Sequence, residues 1–243
     1  MDACQRVESV RLTVFLKEAM RAAWPICIGY FPLGLAFGML AQKAGFGMIE
    51  IALMSIMVFA GSAQFIAVSM LTGGAAVMSI VLTTFVVNLR HVLMSSSLAL
   101  YLDRVSRRFL FLFAYGVTDE SFAVNLARFR EGHWHPYEAL AVNHISNFAW
   151  VSSTILGGYG GQFIPAGSFG IDYALSAMFL SLIVFQLRGR IYSLTAIISG
   201  TLAVTLSLLI PGNAFVVIAS VLGATAGFAL KRYEQKKRNP QHA

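Results

Sequence analysis

The charged residues of this chain are gathered into short clusters, and long apolar stretches run between them. No Asp, Glu, Lys or Arg lies between Ala22 and Gln42, between Ile51 and Leu89, between Ala139 and Ile171, or between Ile191 and Leu230. About 20 mostly apolar helical residues cross a hydrocarbon core of ~30 Å, so the first and third stretches hold one span each and the second and fourth nearly two. Gly73 with Gly74, and Pro211 with Gly212 and Asn213, punctuate the double stretches as tight turns. The pattern therefore predicts helical segments over about 22–41, 49–72, 77–101, 109–127, 137–159, 172–188, 191–210 and 213–230. The expected fold class is an all-α, polytopic transmembrane helical bundle of 7–8 spans. An N-terminal segment 1–21 at the cytoplasmic interface precedes a transmembrane domain 22–230 and a basic cytoplasmic tail 231–243.

Composition agrees with this pattern. The 243 residues are 57% hydrophobic and 12% charged, whereas a soluble domain is about one quarter charged. The net charge of +7 sits at chain ends and between spans, which speaks against a nucleic-acid groove and for the lipid bilayer as partner. Anionic cytoplasmic lipid would attract Lys231, Arg232, Lys236, Lys237 and Arg238. Cys4 and Cys27 give neither a disulfide framework nor a metal-ligand spacing, so no metal site or cofactor is expected. The first apolar run starts late and lasts a full span, unlike a cleaved signal. Ahead of it, Val7, Val10, Val14 and Phe15 against Arg11, Lys17 and Glu18 fit an interfacial amphipathic helix or a solvated tail.

Topology exposes one conflict. With the N-terminus inside and all segments spanning, Arg128, Arg130, Arg188, Arg190 and the tail fall inside, but Arg104, Arg107 and Arg108 fall outside. The positive-inside rule then points to a re-entrant early segment, or to 109–127 not being a plain span, with seven spans as the fallback count. A faint internal duplication aligns Phe46, Gly47, Ile49, Glu50, Ala52 and Leu53 with Phe169, Gly170, Ile171, Asp172, Ala174 and Leu175. Membrane transporters are commonly built from such halves, although two apolar helices can also resemble each other by chance.

Polar groups at membrane depth carry the candidate chemistry, because an ionisable residue there costs ~2.5–3.5 kcal/mol even on the milder scale. On the third segment Thr84, Asn88, His91 and Ser95 share one helical face beside Arg90. That stripe fits a translocation path, while a structural pairing of Arg90 with Asp119 or Glu120 is the alternative. Gly61, Ser62, Ala63 and Gln64 interrupt the second segment about halfway. They permit either a small-residue packing face with a cross-helix Gln bond, or a helix break that frees backbone groups to hold an amino acid. Pro25 and Pro32 with Gly29, Gly34 and Gly38 predict a kinked first helix of close approach. Asp119 and Glu120 lie within an apolar segment where adjacent acids cannot share a face, so one of them is expected to point inward. A carboxylate there fits proton coupling, with Asp119 preferred, or an interfacial salt bridge. His144, Asn147, Trp150 and Ser153 line one face of the fifth segment. His144 is then either a buried hydrogen-bonded histidine or a further coupling candidate.

Five motifs in series, GYFPLGLAFG from Gly29, FAGSAQF from Phe59, NLRH from Asn88, TDESF from Thr118 and ALSAMF from Ala174, resemble the azaleucine-resistance AzlC-type family over nearly all of Ala22 to Leu230. Ser62 stands where that family often carries Ala. The resemblance implies the large subunit of a branched-chain amino-acid exporter in the cell inner membrane. It further implies substrates Val, Leu, Ile and Met, the proton motive force as driver, and a small four-helix membrane subunit as partner. The resemblance carries no residue-by-residue assignment of substrate ligands to this chain. On physical grounds the pathway candidates are Gly61, Ser62, Gln64, Asn88, Arg90, His91 and Asn147, and the coupling candidates are Asp119, Glu120 and His144. A passive channel is the nearest rival. An intramembrane serine protease built on Ser62 with His91 or His144 is weaker, since Gly61–Ser62–Ala63 is also what ordinary helix packing looks like. No enzyme activity is expected.

Overall fold

Small residues spaced by four let two helices of this protein touch backbone to backbone. The computed structural model describes residues 3–103, 105–132, 134–163, 189–209 and 214–238, with Tyr173, Leu180, Val184 and Leu187. Among these, α1 runs over Ala3–Lys43 and α7 over Pro136–Gly161. Gly34 and Gly38 on α1 face Ser153, Thr154 and Gly157 on α7. A Cβ at Gly38 would fall 2.0 Å from the Thr154 carbonyl oxygen, and one at Gly157 would fall 2.2 Å from that of Leu35. Association of helices within lipid relies on such close packing, because lipid tails are as apolar as the helices and burial alone does not drive them together.

A test follows directly. Gly38→Ala is expected to destabilise the folded protein by on the order of 3 kcal/mol, because neither backbone can retreat. Gly29→Ala should be silent, since its Cβ would meet nothing within 4 Å. Equal melting of the two variants in detergent would reject the close-packed seam.

The other elements are α2 Met48–Val58, α3 Gly61–Thr72, α4 Val77–Ala99, α5 Arg107–Tyr115, α6 Asp119–Glu131, α8 Arg190–Leu209 and α9 Ala214–Arg238. No strand occurs among the described residues. Among the described residues three helices are long and apolar enough to cross a membrane: Phe15–Lys43 of α1, α4 and α8. Val77, Val81, Phe85, Val92 and Leu93 of α4 are exposed, and α8 buries none of its residues. Water would not tolerate apolar faces of that size, whereas acyl chains cover them.

The chain divides into two compact units, Met1–Val68 with Val87–Ala174, and Ser69–Val86 with Leu175–Ala243. In the second, α8 packs on α9, with Gly223 against Ser199 and Gly227 against Thr195. In the first, Met94, Leu98, Phe109, Phe113, Val117 and Phe129 form an apolar cluster where α4, α5 and α6 meet α7. A polar network lies beside it. Asn125 Nδ2 donates to Asn143 Oδ1 at 2.9 Å, Trp134 Nε1 to Asn125 Oδ1 at 3.0 Å, and Asn143 Nδ2 to the Phe113 carbonyl at 3.1 Å. Both asparagines are fully buried, and with their bonds made they fix α5 and α6 to α7.

The expected segments are met with instructive differences. The residues expected as an interfacial helix are continuous with the first span in α1, and α9 carries its helix into the basic tail. Segment 109–127 is two short helices rather than a span, which is one of the ways of resolving the Arg107 and Arg108 conflict. Segment 172–188, the Pro211–Gly212–Asn213 turn, Arg104, Arg188, the ALSAMF motif and the second copy of the repeat lie wholly or mostly outside the described residues.

Candidate functional site

Two of the apolar segments are interrupted, and in each the break is held by a buried aromatic or amide. α2 ends at Phe59, whose φ of 31° and ψ of 50° place it in the left-handed region. A bulky residue costs ~1–3 kcal/mol there and persists only where its surroundings fix it. Phe59 is 2% exposed and packs against Tyr30 and Tyr115, with ring centroids 6.4 and 6.3 Å apart. α3 then starts at Gly61, where a Cβ would lie 3.0 Å from Trp150. The interruption expected at Gly61–Gln64 thus falls just ahead of them, at Phe59 and Ala60, and those four residues form the first turn of the new helix.

The second break, at Gly116, Val117 and Thr118, carries a helix-start signature. Thr118 caps α6: its Oγ1 accepts from the Ser121 N–H at 3.3 Å, and its own N–H donates to Ser121 Oγ at 2.9 Å. Asp119 and Glu120 therefore open a helix, where acids complement the positive end of the dipole. They do not sit mid-helix, and in this first turn the neighbouring side chains reach separate partners, Asp119 the Arg90 guanidinium and Glu120 the Tyr30 hydroxyl. At 1.5 Å per residue each half-helix is roughly 14–20 Å long, too short to cross the membrane alone.

Arg90 of α4 bridges the two breaks. Its Nη1 lies 2.6 Å from Asp119 Oδ2, and its Nη2 donates to Ser62 Oγ. Its guanidinium thus joins the first turns of α3 and α6. The Tyr30 hydroxyl of α1 lies 2.7 Å from both Glu120 Oε2 and Thr118 Oγ1. Gln64, fully buried, accepts from Trp150 Nε1 at 2.9 Å and donates to Ser55 Oγ at 3.3 Å. Tyr115 at the end of α5 donates to the Ile56 carbonyl in the last turn of α2, and accepts from Asn147 Nδ2 at 3.3 Å. His144 packs against the Tyr115 ring, and His91 lies beside the Val117 backbone.

The sequence candidates from the second, third, fourth and fifth segments are thus gathered around the two breaks. Tyr30 and Tyr115, which join the set, were not singled out. TDES preceding an apolar run, as a cap signal, would have located the second break. Three buried side-chain atoms of the set have no hydrogen-bond partner: Arg90 Nε, Asn88 Oδ1 and His91 Nε2. Arg90 Nε is an open donor and Asn88 Oδ1 an open acceptor within one turn of α4, the two kinds of group that a carboxylate and an ammonium group require. A cleft of about 270 Å³ lined by Glu18, Arg128, Glu131, Trp134 and Glu138 lies at the opposite end of α6 and includes none of these residues.

Helices too apolar for water, with two interrupted segments meeting on a half-buried arginine, define a multi-pass membrane transport protein. The chain belongs to the AzlC family: the family described as AzlC protein matches residues 25–164. It is 31% identical over 195 residues to inner membrane protein YgaZ of Escherichia coli, covering 76% of this chain and 79% of the relative. It is 30% identical over 216 residues to the branched-chain amino acid transport protein AzlC of Bacillus subtilis, covering 84% of this chain and 83% of that one. A membrane protein of Archaeoglobus fulgidus is 28% identical over 220 residues, 89% of this chain and 96% of the relative. No solved structure matches the chain. The protein is accordingly a multi-pass inner-membrane protein.

Proposed function

We propose that the protein is a secondary active exporter of branched-chain amino acids, driven by the proton motive force and working with a small four-helix subunit. The observation that carries this reading is Arg90 held between the first turns of two interrupted helices. Half-helix N-termini hold the carboxylate of amino-acid substrates elsewhere among transporters, and the Bacillus subtilis relative is named for branched-chain amino acid transport. Gly61, Ser62, Gln64, Asn88, Arg90, His91 and Asn147 form the substrate pathway, with Arg90 facing the carboxylate and Asn88 Oδ1 available to the ammonium group. Asp119, Glu120 and His144 supply the coupling charges. Segment 1–21 and the tail 231–243 lie on the cytoplasmic side, flanking the transport domain 22–230.

Leucine efflux from preloaded cells tests this. Cells making this chain together with the small subunit are expected to release leucine faster than controls, and a protonophore should abolish the difference. This chain without its partner should give efflux near background. Efflux that survives the protonophore would favour a passive channel, and leucine retention in cells containing both subunits would sink the reading.

A further inference from the structure

Resting on that reading and deepening it, we propose that Glu120 is the group that carries the proton, with Tyr30 as its positioning residue, while Asp119 is the fixed counter-ion of Arg90. A proton carrier alternates between a charged and a neutral form, and away from water each form needs a hydrogen-bond partner. The Tyr30 hydroxyl supplies both. It lies 2.7 Å from Glu120 Oε2 and 2.7 Å from Thr118 Oγ1, yet it has one hydrogen. When Glu120 is a carboxylate, Tyr30 donates to it and accepts from the Thr118 hydroxyl. When Glu120 holds a proton, its own O–H donates to the Tyr30 oxygen and Tyr30 donates to Thr118 Oγ1, where the Ser121 N–H already donates from 3.3 Å. The direction of the chain reverses while no heavy atom moves.

Asp119 is built differently. Its partner is the Arg90 guanidinium at 2.6 Å, a fixed positive charge with only donors, which favours the charged carboxylate over the neutral acid. Protonating Asp119 would strand a half-buried cation. The titratable groups beside Glu120 are Tyr30 from α1 and His91 from α4, with Asp119 its neighbour in sequence, while the Arg90 guanidinium of α4 lies on Asp119 and Ser62. Arg90 is paired with Asp119, and among the described residues no ion pair is made to Glu120. Tyr30 is held in register by Trp150 and Phe59, with ring centroids 5.4 and 6.4 Å away. Glu120 is only partly buried. In each cycle one proton adds to the Glu120 carboxylate from the outer side and leaves it towards the cytoplasm, and no bond of the amino acid changes.

Infrared difference spectroscopy of the purified complex on acidification reads protonation without any substrate. A protonated-carboxyl band is expected to vanish in Glu120→Gln, to shift in Tyr30→Phe, and to persist in the folded fraction of Asp119→Asn. In vesicles, Glu120→Gln should lose gradient-driven leucine movement more than 20-fold while leucine-for-leucine exchange stays within twofold. Tyr30→Phe should lower the ratio of driven movement to exchange about tenfold, which a merely structural defect would not change. A band unchanged in Glu120→Gln, or lost in Asp119→Asn instead, would overturn the assignment. So would driven transport by Glu120→Gln equal to the parent. If the bands behave as stated but the parent complex moves no branched-chain amino acid, the proton site stands and the substrate reading fails.

Discussion

Arg90→Ala is expected to reduce leucine transport at least about 100-fold, with folded protein still recoverable, and Arg90→Lys to restore only part of it. Truncating one side of a buried, hydrogen-bonded charge pair costs ~2–5 kcal/mol of binding, and a factor of 100 lies within that range. Lysine would restore the charge but not the fork. In the structure one Nη meets Asp119, the other meets Ser62, and Nε is left without a partner. A planar guanidinium can keep its protein contacts through the two Nη groups while offering Nε–H to a carboxylate, whereas an ammonium is a point charge that must choose. Efflux assays of the three proteins at matched amounts in the membrane decide the matter. Parent-level efflux by the Lys variant would reduce Arg90 to a charge, and parent-level efflux by the Ala variant would remove it from the pathway.

Asp119→Asn should act first on the fold. Loss of one member of a buried ion pair costs ~3–5 kcal/mol, because the remaining charge is left unmatched. Here the two side chains are 30% and 34% exposed, so a smaller cost of about 2 kcal/mol is expected, visible as a lower melting temperature and a several-fold smaller yield. The double variant Arg90→Gln with Asp119→Asn removes both charges. It should regain most of the lost stability and none of the transport. Neighbours in one network are non-additive by ~0.5–3 kcal/mol, so a double-mutant cycle measured by thermal unfolding in detergent reads the pair directly. Strict additivity of the two single variants would mean that the ion pair contributes nothing to holding α4 against the opening of α6.

Membrane insertion, helical class and most helix positions were legible in the sequence because they depend on local composition. Charge-free stretches such as Ile51–Leu89 exclude water whatever they pack against, and only helices satisfy backbone groups without it. Candidate polar residues were legible for the same reason, since Arg90 or Asp119 in an apolar run is conspicuous. The turn chemistry of TDES was equally local and could have been read, but apolar flanks hid the second break inside what looked like one segment. The first break had no such signal: Phe59 is a bulky residue in a left-handed conformation, held by Tyr30 and Tyr115 from two other helices.

Local composition is thus enough to place this chain in lipid, to make it helical, and to show ionisable groups that need partners there. How those groups pair depends on how the helices pack. Whether Arg90 meets Asp119 or Glu120 depends on which way the first turn of α6 faces, and that is set by the Asn125–Asn143 bond and the packing of α6 on α7, between residues 18 positions apart. Tyr30 reaches Glu120 across 90 positions because Gly34 and Gly38 bring α1 onto α7 at backbone contact. Charge and hydropathy are properties of each residue and its neighbours in sequence, whereas a proton site or a carboxylate clamp is a distance between helices. Such a distance exists only once the glycines, the buried amides and the breaks have fixed where each helix lies.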